Sequence, residues 1–412
     1  MDKDLLNKEI HNRYRGLLRV SEPLAQKDEM RSIREAFHYA MDACDGKKTS
    51  SGEPCIFHAL AIARIVAEEI GLGSTSIISA LLYNIVEVAN STREELEKRF
   101  GVQVLLILEG LSKISELDTD KTFYQAENFR KLLLNLASDV RVILIKLAER
   151  LNDLRNLDKL KRKEQLQIAS ETYYLYAPLA HRLGLYNIKT DLEDLSMKYI
   201  EKDTYNTISN KLKESTSTRN KLIREFSLPL KEKLNKQGFD IEIKGRTKSI
   251  HSIWMKMKKQ NVEFEEVYDI FAIRIVIASK PEREKADCWQ VYSLVTDLYQ
   301  PNPQRLRDWI AIPKSNGYES LHTTVVGPGG RWVEVQIRTS RMNEIAEKGY
   351  AAHWKYKEQG WSKGLDDWLS KMSEILKTQE TEQIDFIDHV KLNLYSDEIF
   401  VFTPKGDLKQ LP

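Results

Sequence analysis

The sequence predicts a multidomain protein in which an all-α domain is followed by an α/β (α+β) domain, and three observations carry that prediction. Apolar residues recur at helical spacing almost without a break up to about residue 200. After Gly238 the period switches to two, and strands then alternate with helices. Within that second half, Leu321–Val326 and Arg331–Arg338 flank Gly327-Pro328-Gly329-Gly330, the punctuation of an antiparallel hairpin, so the sheet is expected to be mixed. At 412 residues the chain is long enough for two or three domains with separate cores. The expected division is 1–165 for the helical domain, 166–200 for connecting helices, 201–376 for the α/β domain, 377–392 for a linker and 393–412 for the start of a further domain.

In the first half, Ile56, Leu60, Ala63, Ala67 and Ile70 mark one helix, and Gly71 to Gly73 stops it. A second is expected over Ile77 to Val88, and Ser91-Thr92-Arg93-Glu94 reads as a capping box opening a third. Val140, Ile143, Leu144, Leu147, Leu151 and Leu154 form the stripe of another, and helices continue through Tyr173 to Tyr199. Residues 201–235 are charged and helical, a solvated connector for most of their charges. Phe239 to Lys244 is the first strand, followed by a helix through Met255 and Met257, a strand over Tyr268 to Ile277 and a helix near Asp287 to Tyr299. Beyond the hairpin, residues 341–376 return to helix. The tail DEIFVFTPKGDLKQLP begins a fresh hairpin that turns at Thr403-Pro404-Lys405-Gly406, in a domain expected to be cut short.

Composition narrows the function. Hydrophobic residues at 42% and charged residues at 30% are those of a soluble globular chain. Lys+Arg at 63 against Asp+Glu at 61 leaves a net charge of +2, too little to attract nucleic acid, so any basic site must be local and no DNA partner is expected. Cys44, Cys55 and Cys288, scattered and odd in number, fit a reducing cytosol and exclude a cysteine-based zinc site. No run of about eighteen apolar residues appears, and the start MDKDLLNKEIHNRYR lacks a signal peptide's apolar core, so a cytoplasmic protein without a membrane partner is expected.

Residues 313–338 concentrate the chemistry. Val333, Val335 and Ile337 fall on one face of a strand, with Trp332, Glu334, Gln336 and Arg338 on the other, which either works or is solvated. The strand over Tyr268 to Ile277 is apolar nearly throughout, yet holds Asp269 and Arg274, and a buried charge is costly unless paired or used. Asp269 and Glu334 on neighbouring strands make a seat for Mg²⁺ carrying a phosphorylated substrate; a salt bridge from Asp269 to an arginine is the competing reading. Arg246 and Lys248 stand at a strand-to-helix junction, where helix N-terminal amides favour an anion. Arg305, Arg307 and Lys314 add cations before the hairpin, each also readable as a solvated loop charge. Tyr318 is a surface aromatic or a platform for a base, with Asn316 beside it to read a base edge. His322 is by default a satisfied histidine. Together these groups favour a nucleotide enzyme without naming its reaction.

The segments GRTKSIHSIWMKMKK, VYDIFAIRIVI, RLRDWIAIPKSNGYESLHTTVVGP, VEVQIRT and AEKGYAAHWKYKEQG, spanning Gly245 to Gly360, resemble the synthetase domain of the long RelA/SpoT homologues. The helical half resembles their HD-type hydrolase domain, and the tail resembles the start of their TGS domain. The resemblance implies a nucleotidyltransferase-like fold that moves the β,γ-diphosphate of ATP to the 3′-hydroxyl of GDP or GTP, leaving AMP and making (p)ppGpp in the stringent response. It implies that Asp269 holds Mg²⁺ and that Glu334 shares the metal or activates the hydroxyl. Arg246, Lys248, Ser252, Lys256 and Arg274 match ATP contacts. Arg305, Arg307, Lys314, Asn316, Tyr318, His322 and Gln336 match the acceptor side, with Tyr318 stacking on guanine. Arg305-x-Arg307-Asp308 stands where bifunctional members carry Arg-x-Lys-Asp. Ribosome contact is expected only through a C-terminal region beyond these residues.

The helical half departs from its family. HD hydrolases hold a divalent metal with a first His, a His-Asp pair and a later Asp. Here His58 fills the first place, but Tyr83-Asn84 replaces the pair, Glu149 the later Asp, and Val88 an acid beside Glu87. Tyrosine titrates near pH ~10 and asparagine brings no charge, so no Mn²⁺ is expected and the hydrolase is read as inactive, with a regulatory role. A bifunctional enzyme and a catalytically silent alarmone- or ribosome-binding regulator are the alternatives.

Overall fold

A computed structural model of the chain describes residues 3–49, 52–83, 92–115, 139–267, 270–314, 317–349, 399–402 and 408–411. The chain divides into two compact units, Met1–Arg182 with Lys355–Pro412, and Leu183–Trp354.

The first unit contains α1 (Lys3–Ser21), α2 (Lys27–Ala43), α3 (Cys55–Arg64), α4 (Ser74–Leu82), α5 (Arg93–Phe100), α6 (Val102–Ser115), α7 (Val140–Arg155), α8 (Arg162–Glu171) and α9 (Ala177–Arg182). Helix α3 runs on as a π-helical stretch, Ile65–Ile70, and ends at Gly71, whose φ of 89° only glycine adopts without strain. In α7 the whole predicted stripe is buried, each leucine stabilising by roughly 1.5–3 kcal/mol. The cap of α5 lies one residue further on than expected. Thr92, not Ser91, is the N-cap and its hydroxyl accepts from the Glu95 amide at 3.2 Å. Ser-x-x-Glu and Thr-x-x-Glu overlap here, so the motif alone does not fix the start. Helix α4 is described as far as Tyr83; the rest of the helix expected to reach Val88 lies outside the described residues. The tail forms an antiparallel hairpin of Ile399–Phe402 and Leu408–Leu411, with its expected turn outside the described residues.

The second unit opens with α10 (Tyr186–Ile200), α11 (Lys202–Glu214) and α12 (Thr216–Lys236). Helix α10, expected to be a connector, belongs to this unit: its Met197 packs with Ile208, Ile253 and Phe264 in a small core. There follow β1 (Ile241–Thr247), α13 (Ile250–Gln260), β2 (Phe271–Ile277), α14 (Glu284–Thr296), β3 (Arg307–Asp308), β4 (Leu321–Val326), β5 (Trp332–Thr339) and α15 (Ser340–Lys348). The sheet order is β1-β2-β5-β4-β3, with β2 and β5 parallel and every other pair antiparallel. It is mixed, as expected. Strand β1 begins at Ile241 rather than Phe239 and runs past Lys244 to Thr247, because β2 supplies a partner for each residue from Ile241↔Ile277 to Thr247↔Phe271. The glycine inside β1 has a packing reason: a Cβ on Gly245 would stand 2.6 Å from Ile223 of α12.

One sheet face is apolar. Phe271, Ile273, Ile275 and Ile277 of β2, with Val333, Val335 and Ile337 of β5, pack under Phe226, Leu230 and Leu234 of α12 and Cys288, Val291 and Val295 of α14. All of β2 is buried, as a strand in mid-sheet must be. The opposite face carries the charges.

Candidate active site

Residues paired across a ladder point to the same face, so the register fixes which side chains meet. One row crosses the sheet as Arg246, Ala272, Glu334 and Thr324; the next as Lys244, Arg274, Gln336, His322 and Arg307. Arg338 sits a row further, opposite Val276. Cations from four strands thus share one face with Glu242 of β1, at its edge, and with the Glu334 carboxylate of β5.

That carboxylate is held at both oxygens. Lys248 Nζ lies 3.0 Å from Glu334 Oε2, and the Gln336 amide donates to Oε1 at 2.9 Å. Burial works to raise its pKa, but the Lys248 ammonium, the Gln336 bond and His322 outweigh it and hold Glu334 below the ordinary carboxylate range. An ionised carboxylate on a cationic face suits Mg²⁺ arriving with a polyphosphate, since that ion takes one or two carboxylates and completes its shell with phosphate and water oxygens. Among the described residues no group of three or more His, Cys, Asp or Glu is arranged to hold a metal by itself. Asp269, two positions before β2, lies outside the described residues, as does Asn316.

Tyr318 and His322 form the other wall. Tyr318 Oη lies 2.7 Å from His322 Nε2, and Tyr186 meets the Tyr318 ring edge-on, with centroids 5.6 Å apart. Burial, helped by Arg338, Lys314 and Lys248, pushes His322 down to about 4 against the pull of Glu334, so the imidazole is neutral at pH 7. Burial likewise raises the Tyr318 phenol. Lys314 Nζ stands 4.8 Å from the Trp309 ring centroid and 5.9 Å from that of Tyr318. The Gly317 amide donates to the Lys314 carbonyl, the Lys314 amide to the Tyr318 carbonyl, and Gly317 has φ 74°.

Two expectations change, the anion site at the start of α13 and the exposure of Arg338, while the other residues keep one of their expected readings. The anion site foreseen at the start of α13 is already filled, because Asp194 of α10 accepts from the Ile250 and His251 amides at 3.1 and 2.8 Å. Arg246 and Lys248 instead line a cavity of about 400 Å³ with Asn187, Thr190, Asp191 and Asp194. Asp308 caps its own turn, accepting from the Ile310 and Ala311 amides, while Arg305 and Arg307 are exposed. Arg274 has the partner a buried charge needs, Glu347 of α15 at 2.7 Å. Arg338, placed by alternation on a working or solvated face, is 1% exposed. On α13, Ser252 is bonded to Ser249 Oγ at 2.8 Å and Lys256 is half-buried.

Sequence reasoning missed a buried clamp behind the Tyr318 loop. Arg341, in the first turn of α15, binds both oxygens of Glu319 at 3.1 and 2.8 Å and also Glu284 of α14 at 2.6 Å. Thr339 Oγ1 donates to Glu284 at 2.6 Å. The only signal was an acid, Glu319, set among residues that become buried.

In the first unit a cation lies among the positions matched to the hydrolase site. Lys146 Nζ lies 2.7 Å from Glu149 and 3.0 Å from the buried Tyr83 phenol. Burial disfavours its charge, yet Glu149 and Tyr83 hold the ammonium above its ordinary range. His58 is half-buried, its Nδ1 3.0 Å from the Asn152 amide nitrogen. Burial and the Glu149 charge raise Asp153 to about 6. Asn84 and Glu87 lie outside the described residues.

Comparison with known proteins agrees with this layout. A family model described as a region found in RelA / SpoT proteins matches residues 245–361, and an HD domain model matches 36–186. The chain is 41% identical over 388 residues to a GTP pyrophosphokinase of Myxococcus xanthus, covering 92% of this chain and 50% of that relative. It is 38% identical over 405 residues to the bifunctional (p)ppGpp synthase/hydrolase SpoT of Escherichia coli, covering 97% and 57%. Among solved structures, small alarmone synthetase 2 from Bacillus subtilis is 25% identical, covering 45% of this chain and 96% of that one with a TM-score of 0.29. The chain spans about half the length of the curated relatives it matches. Fold and site define an HD-type helical domain followed by a mixed-sheet, synthetase-like domain. The chain belongs to the long RelA/SpoT homologues.

No described helix is long and apolar enough to cross a membrane.

Proposed function

We propose that this chain is a (p)ppGpp synthetase, moving the β,γ-diphosphate of ATP to the 3′-hydroxyl of GDP or GTP with release of AMP, and that its helical domain does not hydrolyse the product. The observation that carries the reading is the ionised carboxylate Glu334, set by register with Arg246, Arg274 and His322 on one sheet face and bonded to Lys248. Phosphoryl transfer asks for positioned cations around the transferring group and a base or metal beside the attacking hydroxyl. In this reading Asp269 and Glu334 would hold Mg²⁺, which would supply neutralising charge to the transferring phosphates. Arg246, Lys248 and Arg274 take the ATP side, Lys314, Asn316 and Tyr318 the acceptor, and neutral His322 fixes the Tyr318 phenol. The tail hairpin is the start of a TGS domain. For the helical domain the support is Lys146, whose ammonium sits with Glu149 and Tyr83, two of the positions that would have to ligate a metal.

The test is to incubate the chain with Mg²⁺, ATP and GDP and resolve the nucleotides by anion exchange, beside Asp269→Asn and Glu334→Gln. AMP and ppGpp should appear together and fall at least about a hundredfold in either variant. Equal product from all three proteins sinks the assignment.

A further inference from the structure

The charged sheet face holds a buried cation to which the resemblance gives no role. Arg338 of β5 is among the largest fully buried side chains, and its Nε and Nη2 find no hydrogen-bond partner among the described residues. A guanidinium buried without partners is costly, and natural folds rarely keep one that nothing uses. Burial and the charges of Arg274 and Arg246, opposed by Tyr318 and Glu347, push it down to about 10, so it remains charged at neutral pH.

Its neighbours say what it faces. Arg246, Arg274 and Arg338 come from β1, β2 and β5 onto the same face, and Arg338 lies near enough to Tyr318 and His322 to act on the titration of both. Arg274 Nε is also without a partner among the described residues. Glu347, a carboxylate that acts on both arginines, is 38% exposed and bound to Arg274 at 2.7 Å. A phosphate offers several oxygens to such a fork, where one carboxylate offers two.

We propose that Arg338 is a phosphate-binding residue, donating through Nε and Nη2 to a nucleotide polyphosphate that lies between the Arg246–Arg274 side and the Tyr318–His322 side and displaces Glu347. The inference rests on the nucleotide reading above, but its test does not need catalysis. Arg338→Met keeps the stem and volume and removes the charge. Calorimetry with a non-hydrolysable ATP analogue, with GDP and with inorganic tripolyphosphate, each alone, reads the affinity, and a thermal melt without ligand reads the fold.

The expected result is a melting temperature held or raised, because an unpaired buried charge is gone, with affinity for at least one nucleotide down about ten- to a hundredfold. The nucleotide that loses affinity identifies whose phosphate Arg338 holds. Arg338→Lys, which keeps the charge, should recover part of that binding. A lowered melting temperature with unchanged affinities makes Arg338 a structural residue and overturns the proposal; if Arg338→Met does not fold, Arg338→Lys decides instead, and affinities for all three ligands equal to those of the unaltered chain overturn the proposal. Polyphosphate binding through Arg338 without any ppGpp formation leaves the inference standing and removes the functional reading; active synthesis indifferent to Arg338→Met does the reverse.

Discussion

Replacing Arg341 by methionine tests whether the loop bearing Tyr318 is held from behind by charge. The side chains of Glu319 and Glu284 are 4% and 9% exposed, and Arg341 meets both at 2.6–3.1 Å while itself only 25% exposed. Removing one partner of a buried pair typically costs ~3–5 kcal/mol, because the partners keep a charge that water cannot reach. Glu284 retains its bond from Thr339, so the lower end applies, about 3 kcal/mol. For a unit of this size that lowers the melting temperature by roughly 6–12 °C. Urea unfolding followed by tryptophan fluorescence is the assay, since Trp254, Trp289, Trp309, Trp332 and Trp354 all lie within Leu183–Trp354. Because Glu319 adjoins Tyr318, acceptor binding should weaken more than ATP binding. Adding Glu284→Gln and Glu319→Gln to Arg341→Met should restore part of the loss. A destabilisation under about 1 kcal/mol would refute the reasoning, since exposed pairs are worth no more.

Two further outcomes are expected. His322 is held neutral down to about pH 4, below the value of ~6.5 that it takes when unfolded, so the unfolded chain binds the extra proton first. Stability should fall as pH drops from about 6.5 to about 4, by on the order of 2–3 kcal/mol, and His322→Gln should flatten that slope in urea titrations; an unchanged slope rejects the buried neutral imidazole. In the helical domain, Mn²⁺ titrated calorimetrically should give no stoichiometric tight site and (p)ppGpp should survive incubation, whereas tight binding with breakdown would restore a hydrolase.

Much of this was legible because periodicity reports burial. The alternation of Val333, Val335 and Ile337 gave β5 its apolar face, the near-continuous apolar run gave β2 its central place, and the helical stripe of α7 is buried as written. What was not legible depends on partners distant in sequence. Asp194 reads as one acid among several on α10, and only the packing of α10 against α13 puts it on the Ile250 and His251 amides, where it fills an anion site the local pattern left open. Glu319 and Arg341 pair across a hairpin, and their period carries no sign of it. Arg338 alternates correctly, but alternation gives a face and not its depth. That Tyr83 and Glu149 depart from the residue types the resemblance leads one to expect was readable from the sequence; that Lys146 lies between them was not.

The parallel pairing of β2 with β5 also makes a seam. Arg246 and Arg274 arrive on a β1–β2 leaf, whereas Glu334, Gln336, His322 and Tyr318 arrive on a β3–β4–β5 leaf, and the sheet hydrogen bonds joining the leaves run along the ladder from Ala272↔Glu334 to Ile277↔Thr339. That ladder joins residues far apart in sequence, the slow kind of contact to form. A ligand touching both leaves acts as a cross-brace over the seam, so bound substrate and sheet integrity reinforce each other.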